Sequence, residues 1–168
     1  MSITPLHRSK PFPAEETGWA RISSTPPFIQ VAPRRSAAQM RGIRYEDRVH
    51  EHLNEAFGLR YVRSPWIQFA VTGRQPRWCQ PDGFIIFPEL GKIIVVEVKY
   101  NHTAKAYEQL FHLYAPVIRR IFGPGWRVAC CEIVKWFDPA VVCPEPAVLR
   151  EYIEHAKVGE FAVHIWKK

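Results

Sequence analysis

The chain has 168 residues, 47% of them hydrophobic and 13% aromatic, which indicates one globular domain with a substantial core. Its net charge of +7 favours an anionic partner, although many proteins are mildly basic without one. The chain has no run of about 18 apolar residues and its N-terminus has no apolar signal core, so we expect a cytoplasmic protein with no membrane partner. Its four cysteines include no C-x-x-C pair, which argues against a zinc ribbon.

Residues 1–35 are rich in proline and serine and show no hydrophobic periodicity. We interpret them as an extended or disordered arm that precedes a folded domain of residues 36–168. The arm also carries apolar side chains with which it would dock on this domain, on a second copy or on another protein: Trp19, Ile22, Phe28, Ile29 and Val31.

A helix is predicted from Ser36 to about Phe57, with Gly58 as its stop. Its apolar stripe includes Leu53, and Glu46 lies on the same stripe. A carboxylate in that position needs a partner, which is either an arginine at the edge of the core or a cation.

The next segment, residues 59–71, is predicted to be a strand that is interrupted at Ser64-Pro65. Residues 72–77 are predicted to form a loop that contains Arg74 and Arg77. We expect the loop to lie beside the candidate site that follows it, where these arginines contact phosphates or are simply solvated.

A β-hairpin is predicted where two apolar runs, residues 84–87 and 92–99, flank the turn sequence Pro88-Glu89-Leu90-Gly91. If the turn is symmetric, Phe87 pairs with Lys92 and the residues before and after them pair in order. The hairpin is then buried on both faces for most of its length.

This register places Asp82 directly opposite Glu97, with Lys99 on the same face. Opposed like charges destabilise a sheet, and poor solvation increases that cost. A divalent cation such as Mg²⁺ or Mn²⁺ would relieve the repulsion. A slip of one residue would move Asp82 to the wrong face.

A second helix is predicted from Thr103 to Phe122, with Pro116 kinking or dividing it. Gln109 flanks its apolar stripe, and Lys105 in the first turns is a candidate phosphate contact. A strand (126–136), a short helix (147–156) and a last strand (161–166) complete the predicted elements. Cys130 and Cys131 are expected to be buried, reduced thiols on opposite faces of their strand. The alternation of helices and strands predicts an α/β fold.

Pro81-Asp82 followed by Glu97-Val98-Lys99 resembles the signature of the PD-(D/E)XK nuclease superfamily, over about residues 41–122. The resemblance implies a three-layer α/β/α sandwich with a mixed central sheet, the restriction-endonuclease-like core. It also implies a Mg²⁺-dependent deoxyribonuclease, encoded by a bacterium or a phage.

In the hypothesis that follows, Asp82 and Glu97 bind Mg²⁺ or Mn²⁺ together with the backbone carbonyl of Val98, and Glu46 is the third acid. Lys99 orients the attacking water or stabilises the developing negative charge.

Gln109 would be an auxiliary catalytic group, since many superfamily members have a polar residue on this helix near the metal. In the branch related to recombination exonucleases, three residues separate this glutamine from a tyrosine; here four residues separate Gln109 from Tyr114. An ordinary place on the helix surface is the alternative for Gln109.

We expect an endonuclease of structure-specific or weakly sequence-specific type, because no separate target-reading domain is visible. Two alternatives remain. One is a nuclease-fold subunit of a transposition, recombination or phage nucleoprotein assembly, and the other is a non-catalytic structural or DNA-binding member of the fold. The expected partners are DNA and, through the arm, a second copy or a larger nucleoprotein complex.

Overall fold

The structure is a computed structural model that describes residues 18–23, 35–136 and 161–167. Its strands in chain order are β1 (Gly18–Ser23), β2 (Tyr61–Arg63), β3 (Trp66–Val71), β4 (Arg77–Cys79), β5 (Gly83–Phe87), β6 (Lys92–Asn101), β7 (Arg127–Trp136) and β8 (Phe161–Ile165). Five strands form a mixed sheet of order β2-β5-β6-β7-β8, and β1-β3-β4 form a second sheet. The predicted α/β class is therefore confirmed. In the described part of the chain, no helix has the length and apolar character needed to cross a membrane.

Helix α1 (Ala37–Phe57) has the boundaries that its sequence predicts. Ser36 is the N-cap and forms a capping box with Gln39, in which each side chain bonds the other residue's backbone N–H. Gly58 ends the helix with a positive φ of 54°. The predicted helix over residues 147–156 and Cys143 lie outside the described residues.

The β5–β6 hairpin has the predicted register, with Phe87 opposite Lys92 and Gly83 opposite Val96. Its turn is a single 3₁₀ turn that ends at Gly91, whose left-handed conformation (φ 54°, ψ 39°) suits a residue without a Cβ. The antiparallel ladder ends at the pair Gly83–Val96, so Asp82 lies one residue beyond its end, in line with Glu97.

The large sheet is buried on both faces, because alternate residues of β6 enter two different hydrophobic clusters. Ile93 and Val95 pack with the helix that follows β6, whereas Ile94 and Val96 pack with α1. Cys130 and Cys131 divide in the same way and are buried free thiols, as predicted.

The small sheet brings part of the predicted arm into the fold, since β1 pairs antiparallel with the whole of β3. Gly18 permits this approach, because an ideal Cβ there would lie 2.2 Å from the carbonyl oxygen of Ala70. Most of the remaining arm lies outside the described residues.

The loop predicted over residues 72–77 is one residue too long, because Arg77 belongs to β4. This strand of three residues pairs with Ile67, Gln68 and Phe69 of β3, a tertiary contact that local sequence does not reveal.

The helix after β6 consists of α2 (Ala104–Gln109), a π turn (Leu110–Tyr114) and α3 (Ala115–Phe122). In the π turn the Ala115 N–H donates to the Leu110 carbonyl, five residues back. Pro116, which has no N–H to donate, follows directly. The predicted division near Pro116 is therefore confirmed, and a π turn joins the two parts.

Candidate functional site

Asp82 lies at the point where the hairpin meets the Ser64-Pro65 interruption. Its carboxylate Oδ2 accepts a hydrogen bond from the Val98 backbone N–H at 2.6 Å, and its carbonyl oxygen accepts one from the Ser64 N–H at 2.9 Å. Both contacts fix the half-buried carboxylate against the end of β6.

Glu97 is 2% exposed and lies beside Asp82 on the same strand face. Its Oε1 pairs with the Lys99 ammonium group, and its buried Oε2 has no hydrogen-bond partner among the described residues. Burial and the charge of Asp82 raise the pKa of Glu97 to about 8. Burial raises the pKa of Asp82 to about 6, against the opposing effect of Lys99. The two acids thus repel each other in a poorly solvated site.

Lys99 is the cation of this group. Burial favours its neutral form, but the negative charges of Glu97 and Asp82 outweigh that effect and raise its pKa. The Lys99 side chain is 31% exposed, whereas that of its partner Glu97 is 3% exposed.

Glu46 approaches the two acids from α1. Its charge contributes to the raised pKa values of Asp82 and Glu97, which places it within electrostatic reach of both. Its side chain is 38% exposed, at the edge of the buried helix face. Among the described residues its ion-pair neighbour is His50, whose Nε2 lies 3.5 Å from Glu46 Oε1, and not an arginine.

His50 and Tyr61 border the site and were not predicted from the sequence. His50 is 1% exposed, and its Nδ1 hydrogen-bonds the Tyr61 hydroxyl group. Its Nε2 makes no hydrogen bond among the described residues. The sequence feature that could have indicated His50 is its position beside Val49 on the apolar stripe of α1, where an ionisable ring needs partners.

Gln109 points toward the segment before Asp82. Its Nε2 donates to the Tyr114 hydroxyl group at 3.4 Å, and that hydroxyl donates to the Gln80 carbonyl at 3.2 Å. Burial and then the charge of Glu97 raise the pKa of Tyr114. The π turn explains the spacing of four residues, because residues five apart face each other across a π turn as residues four apart do in an α-helix.

Glu132 is a further buried acid that the apolar appearance of β7 concealed. It is level with Glu97 in the parallel β6–β7 register and is fully buried. Its carboxylate bonds the His102 Nδ1 at 2.6 Å and the Thr103 N–H at 3.4 Å. Burial raises the pKa of Glu132, whereas its hydrogen bond to His102 acts in the opposite direction.

The predicted phosphate contacts fall in different settings. Arg74 lies in the exposed loop, and Lys105 is an exposed residue in the first turn of α2. Arg77 is half-buried, with its guanidinium carbon 4.9 Å from the centroid of the Phe69 ring. A cation–π contact therefore holds the Arg77 guanidinium group against Phe69.

The acids fit a hard divalent cation in donor type. Asp82 and Glu97 supply carboxylate oxygens, and Glu46 is close by. Within the described part of the chain, Oε2 of Glu97 has no partner and so has unused acceptor capacity. Among residues 18–23, 35–136 and 161–167, no three His, Cys, Asp or Glu side chains are already arranged as a ligand set.

Comparison with protein-family models, curated proteins and solved structures gives no match to the chain. The chemistry must therefore be inferred from the site itself.

Proposed function

We propose that the protein is a metal-dependent deoxyribonuclease, an endonuclease of structure-specific or weakly sequence-specific type. The observation that carries the proposal is the pair Asp82 and Glu97, held side by side with Lys99 at the end of a buried strand. A protein gains no stability from a buried and a half-buried carboxylate that lie side by side and share one ammonium group, so we infer a functional reason for the arrangement.

The layers around the large sheet support the nuclease interpretation. Helix α1 packs on one face and the helix after β6 on the other, which agrees with a three-layer α/β/α arrangement and a restriction-endonuclease-like core. The site then lies where the end of β6 meets Glu46 of α1 and Tyr114 of the π turn.

In the proposed mechanism Asp82, Glu97 and the Val98 carbonyl would hold Mg²⁺ or Mn²⁺, with Glu46 supporting it from α1. The cation, when bound, lowers the pKa of a water molecule and takes up negative charge on the phosphate. Lys99 stays protonated, orients the attacking water through its ammonium group and stabilises the charge that develops as the P–O bond breaks. Gln109 acts through Tyr114 and Gln80 to keep Asp82 in position.

The test is nicking of supercoiled plasmid with Mg²⁺, compared with EDTA, by the wild type and by Asp82→Asn, Glu97→Gln and Lys99→Ala. We expect each variant to lose roughly 10²-fold or more in rate, as for other groups that stabilise a transition state. Glu89→Gln is the matched control, because Glu89 is exposed and pairs with Arg60 on the surface.

A Mn²⁺ titration by calorimetry separates the roles of the acids and the lysine. We expect Lys99→Ala to retain metal affinity and Glu97→Ala to lose both affinity and cutting. Equal cutting by the wild type and all site variants would refute the proposal. Metal-independent DNA binding without cutting would instead favour a non-catalytic member of the fold, and cutting only with an added partner protein would favour a subunit of a larger assembly.

A further inference from the structure

The outer face of the small sheet carries aromatic and basic side chains. The inner residues of β3 and β4, namely Ile67, Phe69, Val71 and Cys79, belong to the hydrophobic core. Because strand side chains alternate, the residues between them point the other way. We call this outer surface the tryptophan face and define it as Trp19, Arg21, Trp66, Gln68 and Trp78.

Trp19 is the most accessible ring of the tryptophan face. It is 43% exposed, although a Trp side chain in a small sheet normally packs inward. The guanidinium carbon of Arg21 lies 5.5 Å from the centroid of a Trp19 ring. Arg21 also donates to Gln68 Oε1 from Nε at 3.1 Å and from Nη2 at 2.7 Å, which fixes a positive charge over one face of the ring.

The tryptophan face begins next to the candidate site and leads away from it. Trp66 follows Ser64-Pro65, and the Ser64 N–H bonds the Asp82 carbonyl oxygen at 2.9 Å. Trp78 lies two residues before Gln80, whose side-chain Nε2 donates to the Ser64 carbonyl oxygen at 2.8 Å. Trp19, opposite Ala70, lies at the other end. With a rise of about 3.3 Å per residue, the path along β3 from Trp66 to this end is roughly 13 Å.

Beyond that end the chain continues into residues 72–76, an exposed loop that contains Arg74. Arg21 therefore lies within the tryptophan face, and Arg74 lies in the loop just beyond its Trp19 end. Rings that offer flat surfaces together with cations that attract phosphates are the features by which proteins bind unpaired nucleic acid strands.

We propose that the tryptophan face binds the unpaired bases of a single DNA strand that extends from the candidate active site. Bases stack on the face of the Trp19 ring that Arg21 leaves uncovered, and Arg21 contacts the neighbouring phosphate. A duplex does not offer these contacts, because its bases are already stacked and paired. The proposal rests on the proposed nuclease function for the position of the scissile phosphate, and it makes branched, flapped or single-stranded DNA the substrate class.

The experiment measures binding of fluorescein-labelled dT20 to the full-length chain in EDTA by fluorescence anisotropy, with duplex DNA and rU20 as parallel probes. We expect dT20 to bind more tightly than the duplex. Trp19→Ala should weaken dT20 binding by about 5- to 150-fold, the range for loss of one stacked base. Trp19→Phe should retain most of the affinity, and Arg21→Gln should reduce the salt slope by about 0.7.

Trp136→Ala is the matched control. Trp136 is 49% exposed and has the Lys167 ammonium nitrogen 5.8 Å from a ring centroid, so it matches Trp19 in exposure and in its cationic neighbour. It lies at the end of β7 and not on the tryptophan face. We expect this variant to bind dT20 as the wild type does, and far-ultraviolet circular dichroism checks that each variant is folded.

Equal binding of dT20 and duplex, tighter binding of rU20 than dT20, or wild-type affinity in Trp19→Ala would each overturn the inference. Because EDTA prevents cutting, these results are independent of the nuclease test. A chain that binds dT20 through Trp19 and never cuts DNA would refute the proposed function alone. A chain that cuts DNA while Trp19→Ala binds normally would refute the tryptophan face alone.

Discussion

At the scale of single residues, Gly83 follows Asp82 and lies against the Tyr61 ring. An ideal Cβ at residue 83 would be 2.6 Å from both Cε2 and the hydroxyl oxygen of Tyr61. Gly83→Ala must therefore displace a buried ring that also bonds His50, and we expect a loss of about 1–3 kcal/mol in the free energy of unfolding. Urea denaturation measures it.

The control for this substitution is Gly42→Ala on α1, where an ideal Cβ has nothing within 4 Å. Alanine favours helix over glycine, so this change should stabilise the protein by about 0.5–1 kcal/mol. If Gly83→Ala were as stable as the wild type, the close contact with Tyr61 would be wrong.

A residue's role could be predicted from the sequence where its neighbours in space are also close to it in the chain. Asp82, Glu97 and Lys99 come together because one short turn sets the register of the hairpin, and that turn is legible in the sequence. Glu132 was missed because its partner His102 lies on a different segment, so its burial depends on the parallel pairing of β6 with β7.

At the scale of elements, the π turn positions Tyr114 against the chain that leads into Asp82. The Tyr114 hydroxyl group joins Gln109 to the Gln80 carbonyl. We expect Tyr114→Phe to lose about 1 kcal/mol of stability with its buried hydrogen bonds. Nicking activity should fall while Mn²⁺ affinity changes little.

Tyr107→Phe is the control for this change, because Tyr107 lies on the same helix and is 39% exposed. It should match the wild type in nicking rate, because the Tyr107 ring is kept and stacks on Phe111. An equal loss in both variants would show that the helix is generally sensitive and that Tyr114 does not act on the Gln80 segment.

Element boundaries set by caps and turns were predicted well, and pairings between distant segments were not. The capping box at Ser36 and the turn at Gly91 are local signals that fix α1 and the β5–β6 hairpin. The antiparallel pairing of β1 with β3 joins residues about 50 positions apart in sequence, as Gly18 and Val71 show. Nothing in the proline-rich composition around β1 indicates that partner.

At the scale of the whole molecule, stability depends on pH through groups that act in opposite directions. The raised pKa values of Asp82 and Glu97 mean that the folded state binds more protons than the unfolded chain. Their contribution therefore falls as the pH rises. The pH dependence of stability measured on the wild type alone is therefore the sum of this effect and the effect of any buried base.

His164 on β8 is such a base, 3% exposed, and burial lowers its pKa to about 4, with His52 acting in the same direction. Between the ordinary histidine value of about 6.5 and about 4, the unfolded chain binds the proton and the folded chain does not. Stability should therefore fall on going from pH 7 to pH 5, by on the order of 2 kcal/mol from this group alone.

Urea denaturation of the wild type and His164→Gln at both pH values isolates the effect, because the site acids contribute equally to both proteins. The variant should lose less stability on acidification, whereas His112→Gln, at an exposed histidine, should follow the wild type. Parallel pH profiles for the wild type and His164→Gln would show that His164 is protonated equally in the folded and unfolded states.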